Sequence, residues 1–372
     1  MSLRILAIEC YYGGSHQSFL DDWIARSRHE WTLLTLPAHH WKWRMRHSAV
    51  TMAEQLQKMD HPGAWDILFC SDMLNLAEFR GLADTRFATL PTVAYFHENQ
   101  LTYPAPRSQE RDLQLAFTNV TTALAANAVW FNSEFHQEDF LQALAAWMKR
   151  MPDHRLLPAV EQIRRKSKVL PPSIAPAPPR CDSDSRPLHL VWSARWEYDK
   201  NPALFFAALR QVRELGIDFQ VSVLGESFQE VPEEFARARQ EFSQQIVHWG
   251  FLPTAAYRDV LASADVAVST ADHEFFGISA VEAIEAGAFP LLPERLAYPE
   301  LLGLQTNQAQ RRFFYDGSAK MLSEKIVSLA RQKQEKQSLY TASEPARAAI
   351  RRFHHETQIA RRDSELTCLV PR

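Results

Sequence analysis

Two blocks of alternating short apolar runs and amphipathic segments, separated by one proline-rich stretch, constrain this chain more than any other feature. In the first block "RILAIE" reads as a strand, "YYGGS" as a turn and "HQSFLDDWIARS" as an amphipathic helix. "WTLLTL", "WDILFCS", "TVAYFHEN" and "AVWFNS" follow as strands, and "EFHQEDFLQALAAWM" as a helix. The second block repeats the pattern with "LHLVWSA", a helix from Asn201 to Gly216, then "FQVSVLG", "QIVHWG", "DVAVST" and "FPLLP". Strands that alternate with helices through short turns form parallel sheets with right-handed crossovers. The stretch from Arg150 to Pro187 departs from the pattern: it is rich in Pro and Arg, includes "VLPPSIAPAPPR", and is expected to serve as a linker without lasting regular structure. The expectation is an α/β protein of two Rossmann-like domains facing across a cleft, over residues 1–172 and 173–345, with a C-terminal helix in 346–372 packing back on the first domain.

At 372 residues, 46% hydrophobic and 23% charged, the chain has apolar material for two cores. The formal charge of -3 neither proposes nor excludes a nucleic-acid partner. Cys10, Cys70, Cys181 and Cys368 are far apart with no CxxC pair, which argues against a cysteine-built zinc site and a disulfide framework. "MSLRILAIEC" is too short an apolar start for a signal peptide, and no apolar run reaches the ~20 residues of a membrane span. A reduced, cytoplasmic protein without a membrane partner is expected.

Chemistry concentrates at the carboxyl ends of the strands, where open α/β sheets place their ligands. "EFFGISAVEA" sets Glu274 after the buried run "ADVAVST" and Glu282 inside the helix that follows. A helix starting near Gly277 aims its amides and positive dipole end at that position, a seat for a diphosphate. Phe276, Gly277 and Ile278 form the turn into it, and the two carboxylates suit paired hydroxyls of a sugar and a ribose. Two solvated glutamates beside a helix start would look the same. "VWSARWEYDKNP" places Arg195 and Lys200 between a strand and a helix opened by Asn201-Pro202, two cations fit for a leaving diphosphate or for surface ion pairs. Gly13 and Gly14, two of only 11 glycines, let the backbone approach a ligand or merely turn. His97 and Glu98 in "AYFHENQ" follow another buried strand.

In combination these pieces resemble a family. "EFFGISAVE" is similar to the E-x7-E signature of retaining glycosyltransferases with the GT-B fold, glycosyltransferase family 4. The resemblance puts Arg195 and Lys200 on the donor diphosphate, Glu274 on the sugar hydroxyls and Glu282 on the ribose. It puts Gly13 and Gly14 in the family's glycine loop, and His97 at its active-site histidine. "ECYYGGSHQSF", "YFHENQLTYP" and "SARWEYDKNP" look closer still to the tRNA-queuosine mannosyltransferases, which move mannose from GDP-mannose to queuosine at the tRNA anticodon. One departure stands out: "GESF" at 225–228 lacks the second glycine of the family's G-x-G turn.

The resemblance implies a metal-independent reaction with no cofactor beyond the GDP-mannose donor, and His97, Arg195, Lys200 and Glu274 as its catalytic set. "HHWKWRMRH" interleaves Trp41 and Trp43 with Lys42, Arg44 and Arg46 in an expected loop, the residue types that stack on bases and meet phosphates of single-stranded RNA. A loop that tucks its tryptophans into the first domain is the other reading. Beside a mannosyltransferase acting on queuosine-containing tRNA stand a transferase with a lipid or glycan acceptor, and a binding module without turnover.

Overall fold

The computed structural model describes residues 2–59, 63–104, 112–178, 180, 186–227 and 231–370. Cys181 and Phe228 lie outside them. The chain divides into two compact units, Met1–Ser173 with His355–Arg372, and Ile174–His354.

The first unit is built on a six-stranded sheet in the order β2-β1-β3-β4-β5-β6. Its strands are β1 (Arg4–Tyr12), β2 (Glu30–Pro37), β3 (Ile67–Ser71), β4 (Thr92–Phe96), β5 (Ala128–Phe131) and β6 (Ser167–Val169). Every pairing is parallel. The interior strands β3, β4 and β5 are buried along their whole length, as a parallel sheet covered on both faces requires. Strand order reverses between β1 and β3, so the connections leaving these two strands diverge and open a crevice at their carboxyl ends.

The second unit repeats the architecture with β7 (Leu188–Ser193), β8 (Phe219–Leu224), β9 (Ile246–Gly250), β10 (Val266–Val268), β11 (Phe289–Pro293) and β12 (Phe314–Tyr315), ordered β12-β11-β10-β7-β8-β9. This is the dinucleotide-fold order, and its reversal lies between β7 and β10. "VWSARWEYDKNP" and "HEFFGIS" are the connections that leave those two strands.

Three segments differ from expectation. The stretch after Arg150 is not a bare linker: it carries a helix over Leu157–Arg165 and then β6, which completes the first sheet. The basic run there is spent on the fold. Arg164 pairs with Glu138, Arg165 with Glu161, Lys168 with Glu365, and Lys166 Nζ caps the carbonyls of Leu124 (2.7 Å) and Ala126 (2.6 Å). The stretch 39–47, expected as a loop, instead leads into a helix over Trp41–Gln57. Residues 346–354 sit with the second unit, where Ala346, Ile350 and Phe353 enter its core.

The terminal helix His355–Leu369 belongs to the first unit through buried polar contacts. The Arg362 guanidinium, fully buried, lies over the Phe19 ring at 4.7 Å and the Trp23 ring at 5.0 Å. Asp363 accepts from Trp23 Nε1, Ser27 Oγ and the Arg28 amide, each at 2.8 Å. Asp363→Ala strands three donors in or near a dry interior, at about 1–3 kcal/mol for each buried donor left unmet. A melting temperature lowered by several degrees is expected by calorimetry; an unchanged one would mean that water replaces the carboxylate.

Candidate active site

β7 ends at Ser193, and the chain leaves the sheet through Arg195 to a short 3-10 turn over Tyr198–Lys200. Asn201, held at φ 49°, then caps the helix Pro202–Glu214 by accepting from the Leu204 amide. Trp196 stacks on Phe235 with centroids 4.4 Å apart and planes within 8°, which pins the loop beside Arg195. Arg195 itself is half-exposed, its guanidinium 3.5 Å from Glu197.

Lys200 is buried, and its ammonium binds this loop to the one after β10. Nζ donates to the His273 carbonyl at 2.7 Å and lies 3.1 Å from Asp199 Oδ2 and 3.4 Å from Glu274 Oε2. Backbone contacts reinforce the join: the Asp272 amide donates to the Asp199 carbonyl at 2.8 Å, and Thr270 Oγ1 to the Lys200 carbonyl at 2.8 Å. Burial alone would push the Glu274 carboxyl up, but Lys200, Arg195, the Phe276 amide and His273 outweigh it and hold it below the usual carboxylate range. Burial likewise opposes the Lys200 charge, and Glu274 and Asp199 more than restore it. Three sequence-read residues, Arg195, Lys200 and Glu274, thus come together at the β7/β10 switch. Asp199, inside the motif already singled out, was missed as the second carboxylate on Lys200.

Gly277 has φ 88°, and a Cβ there would stand 2.8 Å from the Tyr298 ring, so both backbone and space require glycine. It opens the helix Ile278–Glu285, whose first amides have no acceptor within the helix. The side chain of Phe276 is core, edge-on to Phe353 at 5.2 Å, and Ile278 packs against the same core. The Phe276 side chain is therefore committed to the core, while Ile278 is only partly buried against it. Glu282 Oε2 accepts from Tyr257 Oη at 2.9 Å. Tyr257, on the helix Thr254–Ser263, also lies 3.5 Å from Ser193 Oγ, and Ser279 Oγ donates to the Ser193 carbonyl at 2.8 Å. Glu285 is structural: it accepts the Ala177 amide at 3.1 Å and faces His354 at 3.1 Å.

The remaining residues lie in the first unit. Gly13 is explained by packing, since a Cβ would stand 2.5 Å from Ala38 Cβ; Gly14, at φ 52°, begins the helix Gly14–Ile24. His97 follows β4 and stacks on His16, with centroids 3.9 Å apart and planes tilted by 30°. Along the helix Trp41–Gln57, Met45, Ser48, Ala49, Met52, Ala53 and Leu56 form the buried face. Lys42, Trp43 and Arg46 are exposed, Trp43 at 59%. Trp41 instead packs on the core beside Tyr103, and Arg44 Nε donates to the Pro37 carbonyl at 3.0 Å. The expected five-residue RNA seat is thus split, three residues outward and two committed to the fold. No helix among the described residues is long and apolar enough to cross a membrane.

Comparison with known proteins agrees with the two-sheet fold. HepE from Anabaena, solved with UDP and glucose, superimposes with a TM-score of 0.65 at 16% identity, covering 98% of this chain and 100% of that one. Sucrose-phosphate synthase from Thermosynechococcus elongatus does so with a TM-score of 0.71 at 13% identity over 99% of each chain. The fold is accordingly GT-B. The model of the tRNA-queuosine alpha-mannosyltransferase N-terminal region matches residues 4–174, and that of glycosyl transferases group 1 matches residues 180–344. The tRNA-queuosine alpha-mannosyltransferase of Drosophila melanogaster is 40% identical over 310 residues, 80% of this chain and 81% of that protein. With that identity over that length, the chain belongs to the tRNA-queuosine alpha-mannosyltransferase family.

Proposed function

We propose that the chain transfers mannose from GDP-mannose to queuosine in tRNA, with retention of the anomeric configuration and without a metal ion. The reading is carried by the Arg195, Lys200 and Glu274 cluster at the switch point of the second unit, in a chain of this family. The β- and α-phosphates lie on Arg195, Lys200 and the helix start at Gly277, and the two cations stabilise the charge that grows on the leaving diphosphate. Glu274 orients sugar hydroxyls, and its link to Lys200 sets the sugar against the diphosphate. Glu282 takes the ribose hydroxyls, oriented by Tyr257. The acceptor hydroxyl attacks the face the diphosphate leaves, and the departing phosphate oxygen receives its proton. The family resemblance adds His97, after β4 of the first unit, to the catalytic set of this reading.

Glu282→Ala removes charge-assisted hydrogen bonds worth about 1.5–3 kcal/mol, so GDP-mannose affinity should fall about 10-fold or more by calorimetry. Tyr257→Phe leaves the carboxylate but frees its orientation, and a smaller loss is expected. Unchanged affinity in Glu282→Ala would move the ribose elsewhere.

The function itself is tested by incubation with several nucleotide sugars and queuosine-containing tRNA, followed by nucleoside mass spectrometry. A gain of one hexose on queuosine from GDP-mannose alone is expected. Transfer only to lipid or glycan, or no turnover with intact binding, would replace the reading.

A further inference from the structure

The strand-order reversal of the first unit, between β1 and β3, carries a buried group of ionisable side chains that the reaction as derived does not use. Glu9, on β1, is 1% exposed. Its Oε1 accepts the Tyr11 amide at 2.8 Å and Ser71 Oγ at 3.0 Å, and its Oε2 stands 3.2 Å from His16 Nδ1. His16, in the first turns of the helix Gly14–Ile24, lays its ring on that of His97. His97 is fixed from its other sides as well. Its amide donates to Asp72 Oδ1 at 2.9 Å, its carbonyl accepts from Asn132 Nδ2 at 2.9 Å, and the Phe19 and Tyr95 rings lie 5.1 and 4.7 Å away. His97 Nε2 is buried without a hydrogen-bond partner.

One ligand atom each of Glu9, His16 and His97 lies within 4.8 Å of the others, a spacing that also invites a metal ion. The stacking argues against it. Imidazole lone pairs lie in the ring planes, and two overlapping rings 3.9 Å apart and tilted by only 30° do not aim them at one point about 2.0–2.1 Å from both nitrogens.

We propose that His16, clamped by Glu9, is a positioning residue for His97 and forms the plate on which the His97 ring is held. The proposal rests on the reading that His97 is one of the catalytic residues. Electrostatics agree with the geometry. Burial pulls the His16 pKa down, but Glu9, with Asp72 and Glu98, outweighs it and brings it to about 9. Burial, then the neighbouring His16, His136 and Arg362, hold His97 well below the ordinary imidazole range. Burial pushes Asp72 up to about 8, against the pull of His16. At neutral pH the stacked pair is therefore one imidazolium and one imidazole. A fixed, neutral His97 suits a reaction whose sugar gains oxocarbenium-like positive charge in the transition state, since a charged catalytic ring would repel it.

The test is ¹⁵N imidazole NMR on the full chain, with transfer kinetics at several pH values. In the wild type, His16 should stay charged up to pH about 9 while His97 is already neutral at pH 7. In Glu9→Gln, which keeps the acceptor for Tyr11 and Ser71, the His16 titration should fall by about one unit or more toward its ordinary value of about 6.5. Turnover above that new value should drop about 10-fold, with donor KM within about twofold, and His16→Gln should lose as much at every pH. Wild-type His97 resonances and pH profiles in both folded variants would overturn the proposal. So would a wild-type His16 that titrates near 6.5, or a stoichiometric metal ion found by mass spectrometry and lost in Glu9→Gln. Wild-type turnover in His97→Ala would instead overturn the underlying placement of His97, whatever the two rings show by NMR.

Discussion

Arg195→Ala is expected to lower turnover by about 10²-fold or more while the protein melts close to the wild-type temperature. The two halves of that expectation have separate causes. A donor facing charge that appears only in the transition state contributes about 10²–10³ in rate. The Arg195–Glu197 pair has side chains 42% and 30% exposed, and ion pairs so wetted add about 0–1 kcal/mol to stability. Lys200→Ala should match the loss of turnover and add a loss of stability. Its side chain is 7% exposed and compensates both Asp199 and Glu274, and removal of one partner from a buried pair costs about 3–5 kcal/mol. Kinetics and calorimetry on the two variants therefore separate the roles. A raised KM with unchanged kcat in Arg195→Ala would mean that it binds the ground state only. A wild-type melting temperature in Lys200→Ala would mean that Asp199 and Glu274 find other partners.

What the sequence made legible follows from where its signals are local. Apolar runs placed nearly every strand, and since parallel strands deliver their ligands at one end, Arg195, Lys200 and Glu274 were readable as a group before any coordinates. Tyr257 was not: it reaches Glu282 from 25 residues away, and a lone tyrosine on an amphipathic helix carries no mark of that contact. His16 was invisible for a related reason, because its partners come from β1 itself (Glu9) and from the connection after β4 (His97). The stretch 39–47 reads as a loop because the start of the helix Trp41–Gln57 lacks the usual signals. Its N-cap is His40 in the left-handed region at φ 50° with no side-chain cap, and its buried face is largely small residues and methionine. The helix Leu157–Arg165 hides in the same way behind Leu156 at φ 40°. Phe276 is the opposite case: it stands in a motif read for ligand contact, yet its side chain packs in the core.

Trp43→Ala is expected to weaken tRNA binding by about 1–3 kcal/mol, the worth of one lost base stack, without change in melting temperature. The helix explains why Trp43 and Trp41 should part company. Trp43 is 59% exposed and lies beside His47, with ring centroids 5.1 Å apart, so it offers a face to solvent. Trp41 is packed on the first unit's core, so Trp41→Ala should lower the melting temperature as well as transfer. Arg44 is committed to the Pro37 carbonyl and should behave like Trp41. Lys42 and Arg46 flank Trp43 on the exposed face, where Arg46 also faces Asp112 at 2.6 Å. If both meet phosphates, each loss should flatten the dependence of log K on log salt by about 0.7–0.9, whereas Trp43→Ala should leave that slope alone. Slow hydrolysis of GDP-mannose should survive in the Trp43, Lys42 and Arg46 variants, because the proposed diphosphate, sugar and ribose contacts belong to Ile174–His354 and this helix to Met1–Ser173. A Lys42→Ala, Arg46→Ala double variant that keeps wild-type tRNA affinity and salt slope would remove RNA from this helix and leave its exposed tryptophan for another partner.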